Sequence, residues 1–234
     1  MQGVQGIEEE RNYNLGSGCL WSVPRPTSSP EWLFRIVRYV RGSFSSAPSA
    51  DIRGMLEPVL NGEHFERVLG EALRRCRHRL LIATANVKNL HLPTPGASGG
   101  RRRRARSILR EFDDLATRHV EVRLLHSAVP SGPFLADLKD HVPATLEMRR
   151  CPRIHAKVVV ADGRWMYLGS ANLTGAGLGA KSHRRRNFEA GIWTDELALI
   201  DDVCDMLDGV WTGQHCPQCG QRDHCPVPLE EPEL

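Results

Sequence analysis

One stretch of the chain concentrates side chains that can act on a phosphate ester. It reads H-x-K-x4-D-x6-G-S-x-N and begins at His155. A neutral imidazole can attack phosphorus and form a covalent phosphohistidine, which divides one difficult step into two easier ones. Because imidazole titrates near neutral pH, a second copy of the same histidine can protonate the leaving oxygen. The residue types and their spacing therefore indicate phosphodiester chemistry.

The other polar side chains of this stretch could bind or orient the reacting groups. Lys157 follows the histidine by two positions, which on a strand puts both side chains on one face, where the ammonium can hold a phosphate oxygen. Ser170 and Asn172 alternate in the same way, so their hydroxyl and amide could donate to the same oxygens. Asn187 and Glu189 lie where a further strand would return to the site, and the carboxylate could orient an imidazole.

This pattern resembles the HKD motif of the phospholipase D superfamily, and every motif position matches. By the order of the elements, the resemblance covers roughly residues 60 to 212. It implies a reaction that needs no metal or other cofactor, with catalytic roles for His155, Lys157, Ser170, Asn172 and Glu189. The chain holds one copy of the motif. Because the family builds one active site from two motifs, the resemblance implies a homodimer in which the two copies of His155 face each other across a symmetry axis.

The motif aspartate, Asp162, is expected to have a structural role. Asp162 and Gly163 form a strong hairpin signal, and they lie between the apolar runs 158–160 and 165–168. We therefore assign Asp162 to a turn or a nearby ion pair rather than to catalysis.

Strands and helices alternate around the motif. The predicted strands cover residues 79–87, 120–125, 145–150, 154–161, 165–168 and 188–194. The predicted helices cover residues 64–78, 107–119, 134–141 and 195–210. This alternation indicates an α/β fold with a mixed β-sheet flanked by helices, and the resemblance implies the phospholipase D-like form of that fold.

The chain divides into three regions. Residues 1–60 form an N-terminal extension, with an amphipathic helix predicted at Glu31–Arg41 and a short helical piece at Asp51–Leu60 that a proline weakens. Residues 61–212 form the catalytic domain, and residues 213–234 form an acidic tail that contains cysteine and histidine. The basic face of the first helix could bind a membrane or nucleic acid, or it could be the solvated side of a helix packed on its own domain.

Charge is distributed unevenly along the chain. The net charge is +3, but residues 195–234 hold ten acidic residues and one basic one while residues 1–60 balance, so residues 61–194 carry +12. A basic catalytic segment favours a polyanionic substrate, either nucleic acid or an anionic membrane surface. Aromatic residues that could stack on bases make up only 6% of the chain, so sequence-specific readout is not indicated.

Three groups of arginines are candidates for binding phosphates. One follows a glycine-rich loop, one lies just before His155, and one lies between the G-S-x-N turn and Glu189. Each group could instead be a solvated surface. The main candidates are Arg101, Arg102, Arg103, Arg104, Arg153, Arg184, Arg185 and Arg186, with Arg149 and Arg150 adding to the same patch.

The tail contains a candidate structural zinc site. Cys216-Pro-Gln-Cys219-Gly is half of a zinc knuckle, since the glycine frees backbone amides to point at the thiolates. Cys225 or His224 could be a third ligand, and the fourth would come from His215 or elsewhere. The alternative is free thiols in a disordered acidic tail. The remaining cysteines lack framework spacing and are expected to be reduced thiols: Cys19, Cys76, Cys151 and Cys204.

The composition is that of a globular protein that does not enter a membrane. Hydrophobic residues make up 41% of the chain, the mean hydropathy is −0.36, and no apolar run approaches the length of about 20 residues needed to cross a bilayer. Residues 1–10 lack the basic and apolar regions of a secretory signal. We therefore expect a cytoplasmic protein.

Together these features favour a nucleic-acid endonuclease that is active as a homodimer, with DNA and RNA both open as substrates. A phospholipase D or cardiolipin-type lipid hydrolase would carry the same motif, but such enzymes usually have two copies, longer chains or membrane segments. A third interpretation is a nucleic-acid-binding module with a degenerate site, and the intact motif argues against it. By size and single motif the chain resembles small bacterial nucleases and the phospholipase D-like components of antiphage defence systems, which would add partner proteins.

Overall fold

The computed structural model describes residues 54–88, 90–92 and 106–232. The chain divides between residues 51 and 52, and the described residues belong to the unit Ile52–Leu234. The helix predicted at Glu31–Arg41 lies outside the described residues. The same is true of the arginine group Arg101, Arg102, Arg103 and Arg104.

A seven-stranded mixed sheet forms the centre of this unit. Across the sheet the order is β1-β9-β8-β7-β2-β5-β6, in which β2, β5 and β6 run parallel and the other pairs are antiparallel. The short strands β3 and β4 pair with each other. In chain order the strands are β1 (Leu56–Leu60), β2 (Arg79–Thr84), β3 (His91–Leu92), β4 (Arg106–Ser107), β5 (Glu121–His126), β6 (Leu146–Arg150), β7 (Val158–Ala161), β8 (Trp165–Gly169) and β9 (Ala190–Thr194).

Helices cover both faces of this sheet. The first helical segment has a 3-10 turn (Asn61–Glu63), a π-helical stretch (Phe65–Glu71) and a short α-helix, α1 (Ala72–Arg75). The others are α2 (Ile108–Ala116), α3 (Gly132–Asp140) and α4 (Leu197–Trp211). None of the helices in the described ranges combines the length and apolar composition that crossing a bilayer requires.

The central strand β2 shows why the fold has three layers. Its residues alternate between the two faces of the sheet, as side chains on any strand do. Leu80 and Ile82 join the core that includes α2 and α3, whereas Leu81 and Ala83 join the core that includes Leu207 of α4. Because both faces are covered, β2 and β7 are apolar along almost their whole length. The predicted α/β fold with a mixed sheet flanked by helices is therefore confirmed.

The helix predicted up to residue 60 is wrong over β1. Residues 56–60 pair antiparallel with β9 at the edge of the sheet, so the sheet begins before the predicted domain start at residue 61. An edge strand tolerates proline because one row of its backbone groups needs no partner, which explains Pro58. The paired residues lie 130 to 138 positions apart in the chain, and local periodicity does not reveal such a pairing.

The predicted strand at 154–161 also differs from the structure. β7 begins only at Val158, so His155 and Lys157 precede the strand. Backbone pairing nevertheless reaches Lys157, since the N–H of Gly169 donates to its carbonyl oxygen at 3.1 Å. Within the described residues, the other predicted strands and helices are present with shifted ends, except that the π-helical stretch replaces regular α-helix in the first segment.

Asp162 forms the turn between β7 and β8, as predicted. Asp162 and Gly163 have φ of 56° and 64°, and the N–H of Arg164 donates to the oxygen of Ala161 at 3.0 Å, which closes a β-turn. Residues 162–164 separate the paired residues Ala161 and Trp165. The Asp162 carboxylate accepts the backbone N–H groups of residues 77, 78 and 79 at 2.8, 2.8 and 2.9 Å. Burial alone would raise the pKa of Asp162, but these N–H groups outweigh it and lower the pKa below its ordinary value.

Candidate active site

The topology of the sheet brings the predicted catalytic residues to one end of the central strands. β7 begins at this end, its antiparallel neighbour β8 finishes there, and β9 begins there. His155 and Lys157 precede β7, Ser170 follows β8, and Glu189 precedes β9. Asn172 reaches the same end, since its side chain contacts the last residue of β2. The structure therefore gathers all five residues.

His155 and Lys157 form the centre of this group. The imidazole is exposed, whereas Lys157 is only 8% exposed. The ammonium of Lys157 donates to the His155 carbonyl oxygen at 2.7 Å and lies 3.2 and 3.3 Å from the two ring nitrogens. Burial lowers the pKa of Lys157, and the nearby carboxylate of Glu189 acts in the opposite direction. Because the ammonium is about equally close to both ring nitrogens, this contact selects neither of them as its acceptor.

Ser170 and Glu189 are held to each other. The Ser170 hydroxyl donates to Glu189 Oε2 and accepts the N–H of Ala190 at 3.0 Å. Asn187 Nδ2 donates to Glu189 Oε1 at 2.9 Å. Glu189 is thus fixed by two side chains, and its own N–H donates to Asn61 Oδ1 at 3.3 Å. We expected the Ser170 hydroxyl to donate to a phosphate oxygen, but in the structure it donates to Glu189.

Asn172 keeps its donor group for a ligand. Its side-chain oxygen accepts the N–H of Asn86 at 3.1 Å and lies 3.3 Å from the hydroxyl of Thr84. The Thr84 hydroxyl in turn accepts the N–H of Leu173 at 3.0 Å, which fixes the backbone of the G-S-x-N turn. Because the amide oxygen is engaged, the NH2 group is the part of Asn172 available to a phosphate oxygen.

Sequence reasoning missed three supporting residues. Thr84 and Asn61 position Asn172 and Glu189 through the bonds just described, and Tyr167 supports the turn by accepting the N–H of Ala171 at 3.2 Å. Burial raises the pKa of Tyr167 to about 12. Thr84 is the polar last residue of an apolar strand, and this position could have indicated a role at the site. The sequence around Asn61 and Tyr167 contains no comparable indication.

The glycine of the G-S-x-N turn is required by close packing. A Cβ on Gly169 would meet the Tyr167 hydroxyl and would lie 2.7 Å from the Cα of Gly191 on the neighbouring strand. Any side chain at this position would therefore push β8 away from β9 and separate Ser170 from Glu189.

Two groups of arginines remain near the site. Arg184 and Arg185 are exposed, and Arg186 packs against Gly62. Their loop is closed by backbone bonds from residues 185 and 186 to Ser182 at 2.8 and 3.1 Å. Arg153 is also exposed, and its guanidinium lies 3.8 Å from the sulfur of Cys219.

Arg149 and Arg150 do not join this basic surface, contrary to prediction. Arg149 donates to the carbonyl oxygen of Trp211 at 2.7 Å and lies over its ring. Arg150 forms an ion pair with Glu230 and donates to the carbonyl oxygen of Ser127 at 3.1 Å. Both are engaged in holding α4 and the tail.

The tail packs against the segment that carries His155. A cavity of about 350 Å³ lies between them, bordered on one side by His155 and on the other by His215. His224, a candidate metal ligand, is exposed. Among the described residues, no three His, Cys, Asp or Glu side chains stand in the geometry of a metal site as they are oriented.

Comparisons with known proteins identify the family. The family model for the cardiolipin synthase, PLD-like domain matches residues 70–211. Similar solved structures include NucT from Helicobacter pylori, which is 13% identical over 68% of this chain and 97% of that chain with a TM-score of 0.49. Another is Nuc from Salmonella typhimurium, a phospholipase D family member, at 15% identity over 68% of this chain and 95% of that chain, also with a TM-score of 0.49.

Phosphatidylserine synthase from Haemophilus influenzae is 13% identical over 79% of this chain and 47% of that chain, with a TM-score of 0.43. None of the curated proteins matches the sequence. The family model spans more than half of the chain, including the whole H-x-K to Glu189 region. The chain therefore belongs to the phospholipase D superfamily of phosphodiesterases.

Proposed function

We propose that this protein is a metal-independent phosphodiesterase that cleaves nucleic acid as a homodimer. The observation that carries the proposal is the contact between Lys157 and an exposed His155 at a strand end where Asn172 keeps a free donor. A nucleophile, a cation and an amide donor then face one phosphate.

The proposed reaction has two steps. In the first, the His155 imidazole attacks phosphorus, the bond from phosphorus to the leaving oxygen breaks, and that oxygen takes a proton from the imidazolium of the second protomer. In the second, water attacks phosphorus and gives its proton back to the second imidazole, while the phosphorus–nitrogen bond breaks. Lys157 and the Asn172 amide stabilise the charge on the phosphoryl oxygens.

A second protomer would supply a second copy of His155 to act as the acid. Two histidines of the same chain are excluded from this role because they are buried. His126 Nδ1 lies 2.9 Å from the carbonyl oxygen of Ala128, and burial lowers the pKa of His126. His64 is fully buried with its Nδ1 2.8 Å from the oxygen of Asn61. Exposed alternatives within one chain include His183 and His215, and His215 borders the same cavity as His155.

An apolar surface beside the site supports this dimer. Phe188 is 92% exposed directly before Glu189, and Leu60 on the neighbouring edge strand is 49% exposed. Large apolar side chains that stand in solvent at a catalytic rim are typical of a contact surface. A two-fold axis close to this rim would cover them and bring two imidazoles together.

The charge distribution supports nucleic acid as the substrate. Residues 61–194 carry +12, and within the described residues Arg153, two positions before His155, and Arg184 and Arg185, five and four positions before Glu189, are exposed. Binding through phosphates should weaken with salt, with a log–log slope of about −0.9 per contact for duplex and about −0.7 for single strands. Cytoplasmic location and association with a defence system stay predictions that rest on the sequence.

The test is cleavage of labelled single-stranded DNA, duplex DNA, RNA and phospholipid vesicles, each without divalent cations and again with brief EDTA treatment. We expect nucleic-acid cleavage in both conditions and no cleavage by His155→Asn. The His155→Asn protein should still bind nucleic acid, and the salt dependence of this binding should become less steep when Arg184→Glu and Arg185→Glu are added. A matched control is Arg110→Glu on α2. Activity on vesicles alone would replace the nuclease with a lipid hydrolase, and activity restored after EDTA by Mg²⁺ would refute metal independence.

A further inference from the structure

Four reduced cysteines from two distant segments border one small cavity. Its volume is about 20 Å³, and the thiols are those of Cys151, Cys216, Cys219 and Cys225. Cys151 directly follows β6, whereas the other three belong to the tail. The cavity is of the size that holds a single water or ion.

The two segments have matching local structure. Cys151 and Cys216 each begin a turn in which the residue three positions later donates back, at 2.9 Å from Ile154 and 3.2 Å from Cys219. Proline follows three of the four cysteines, at positions 152, 217 and 226, and glycine follows the fourth. Such Cys-Pro and Cys-Gly turns free backbone N–H groups to point at sulfur, as in the halves of a zinc knuckle.

One side-chain donor points at a sulfur of this cavity. The Arg153 guanidinium donates towards the Cys219 sulfur across 3.8 Å. A donor aimed at sulfur stabilises the thiolate, which is the form that binds a metal.

The charge around the cavity fits a metal bound by four thiolates. Zn²⁺ with four thiolates carries a net charge of −2. Three arginines line the cavity, and since Arg150 pairs with Glu230, the guanidiniums of Arg153 and Arg222 remain for this charge. Arg153 lies 3.8 Å from the Cys219 sulfur, and Arg222 donates to the carbonyl oxygen of Cys216 at 2.9 Å. They balance this charge.

We propose that Cys151, Cys216, Cys219 and Cys225 form a tetrahedral zinc site that fastens the C-terminal tail to the segment carrying His155. Binding replaces the thiol protons, which pass to solvent, and draws the four side chains inward from their present orientations. The tail already docks there, since the N–H of Arg150 donates to the oxygen of Glu230 at 3.0 Å. The assignment makes Cys151 the fourth ligand and leaves out His224 and His215, and it stands independently of the proposed reaction.

The experiment measures the metal content of the full chain purified without chelators. We expect about one zinc per chain in wild type and in two matched controls, Cys204→Ser on α4 and His224→Asn. Occupancy should fall to roughly a tenth or less in Cys151→Ser and in each of the three tail Cys→Ser variants.

Cobalt exchange keeps the test decisive if a variant fails to fold. Co²⁺-substituted wild type should show the absorption bands of tetrahedral coordination by four thiolates. Bands of three thiolates and one imidazole, or full zinc in Cys151→Ser, would overturn the assignment of Cys151. Metal-free wild type, or a mass two or four hydrogens lower that marks disulfides, would overturn the site itself.

Discussion

Replacing Asp162 by alanine should destabilise the fold while leaving catalysis intact. The carboxylate accepts three backbone N–H groups at 2.8 to 2.9 Å, which join the β7–β8 turn to the start of β2. Since the site is partly exposed, each bond contributes about 1 kcal/mol, so the loss should be about 3 kcal/mol. For a domain of this size that corresponds to a fall of roughly 6–12 °C in Tm.

The pH dependence of this contribution has a defined sign. The folded pKa of Asp162 is lowered, so the stabilisation is complete above the unfolded pKa of about 3.9 and is lost as pH falls through the lower folded value. Denaturant melts at pH 7 and at pH 3 would show a smaller difference between wild type and Asp162→Ala at the acidic pH.

Two variants and one assay separate structure from chemistry here. Asp162→Asn keeps one acceptor oxygen and tolerates positive φ, so it should lose only part of the stability. Asp162 lies about 16 Å from Lys157 along the strand, at about 3.3 Å per residue, which is too far to contact the same phosphate. At a temperature where each variant is fully folded, turnover should match wild type. A folded Asp162→Ala protein without activity would refute this reasoning.

Three further predictions concern the proposed reaction. His155→Asn should lower kcat at least 10³-fold, which is the order of loss when a nucleophile is removed. His215 lies on the other side of the same cavity, and His215→Asn should keep activity. Equal losses in the two variants would indicate that the acid comes from the same chain. Phe188→Glu should shift the protein to monomer in sedimentation velocity and abolish cleavage, and an active monomer would disprove the shared site. Burial lowers the pKa of Lys157, and the reaction needs the charged form of this side chain. Activity should therefore decline as the pH rises towards a value below about 10.4. Lys157→Arg should move this decline to higher pH, and a decline that does not move would belong to another group.

The sequence predicted the centre of the sheet because both faces of its central strands are buried. β2 and β7 are continuous apolar runs, and a run of that length between turn signals is typical of a covered strand. β1 was missed because its pattern is weak and its partner is distant in the chain. The π-helical stretch has no local signal either, since residues 65–71 show the same apolar spacing as an ordinary helix.

The sequence predicted which residues lie close together, but not the bonds between them. Lys157 lies beside His155 although both precede β7, and Ser170 and Asn172 lie at the same end of the sheet. Spacing cannot show that the Ser170 proton goes to Glu189, because that bond depends on how β8 and β9 align. Cys151 was interpreted as an isolated thiol because the proposed fellow ligands lie 65 or more positions away, although its Cys-Pro step repeats the step at Cys216.

The proposed zinc site yields a last prediction about how the tail affects activity. His155 lies outside β7, so the turn that begins at Cys151 and the pairing of Lys157 are what hold its backbone. A metal at Cys151 would fix that turn, and its loss should let the imidazole move without removing any reacting group. Displacement of a catalytic group by about 1 Å costs roughly 100-fold in rate.

Cys151→Ser should therefore lower kcat by roughly 10- to 100-fold, much less than His155→Asn, and should lower the temperature at which activity is lost. Cys204→Ser serves as the matched control and should behave as wild type. The phosphohistidine should still form in a single-turnover experiment with Cys151→Ser, because the nucleophile is unchanged. If Cys151→Ser has lost its zinc yet keeps full activity and thermal stability, the metal holds the tail without positioning His155.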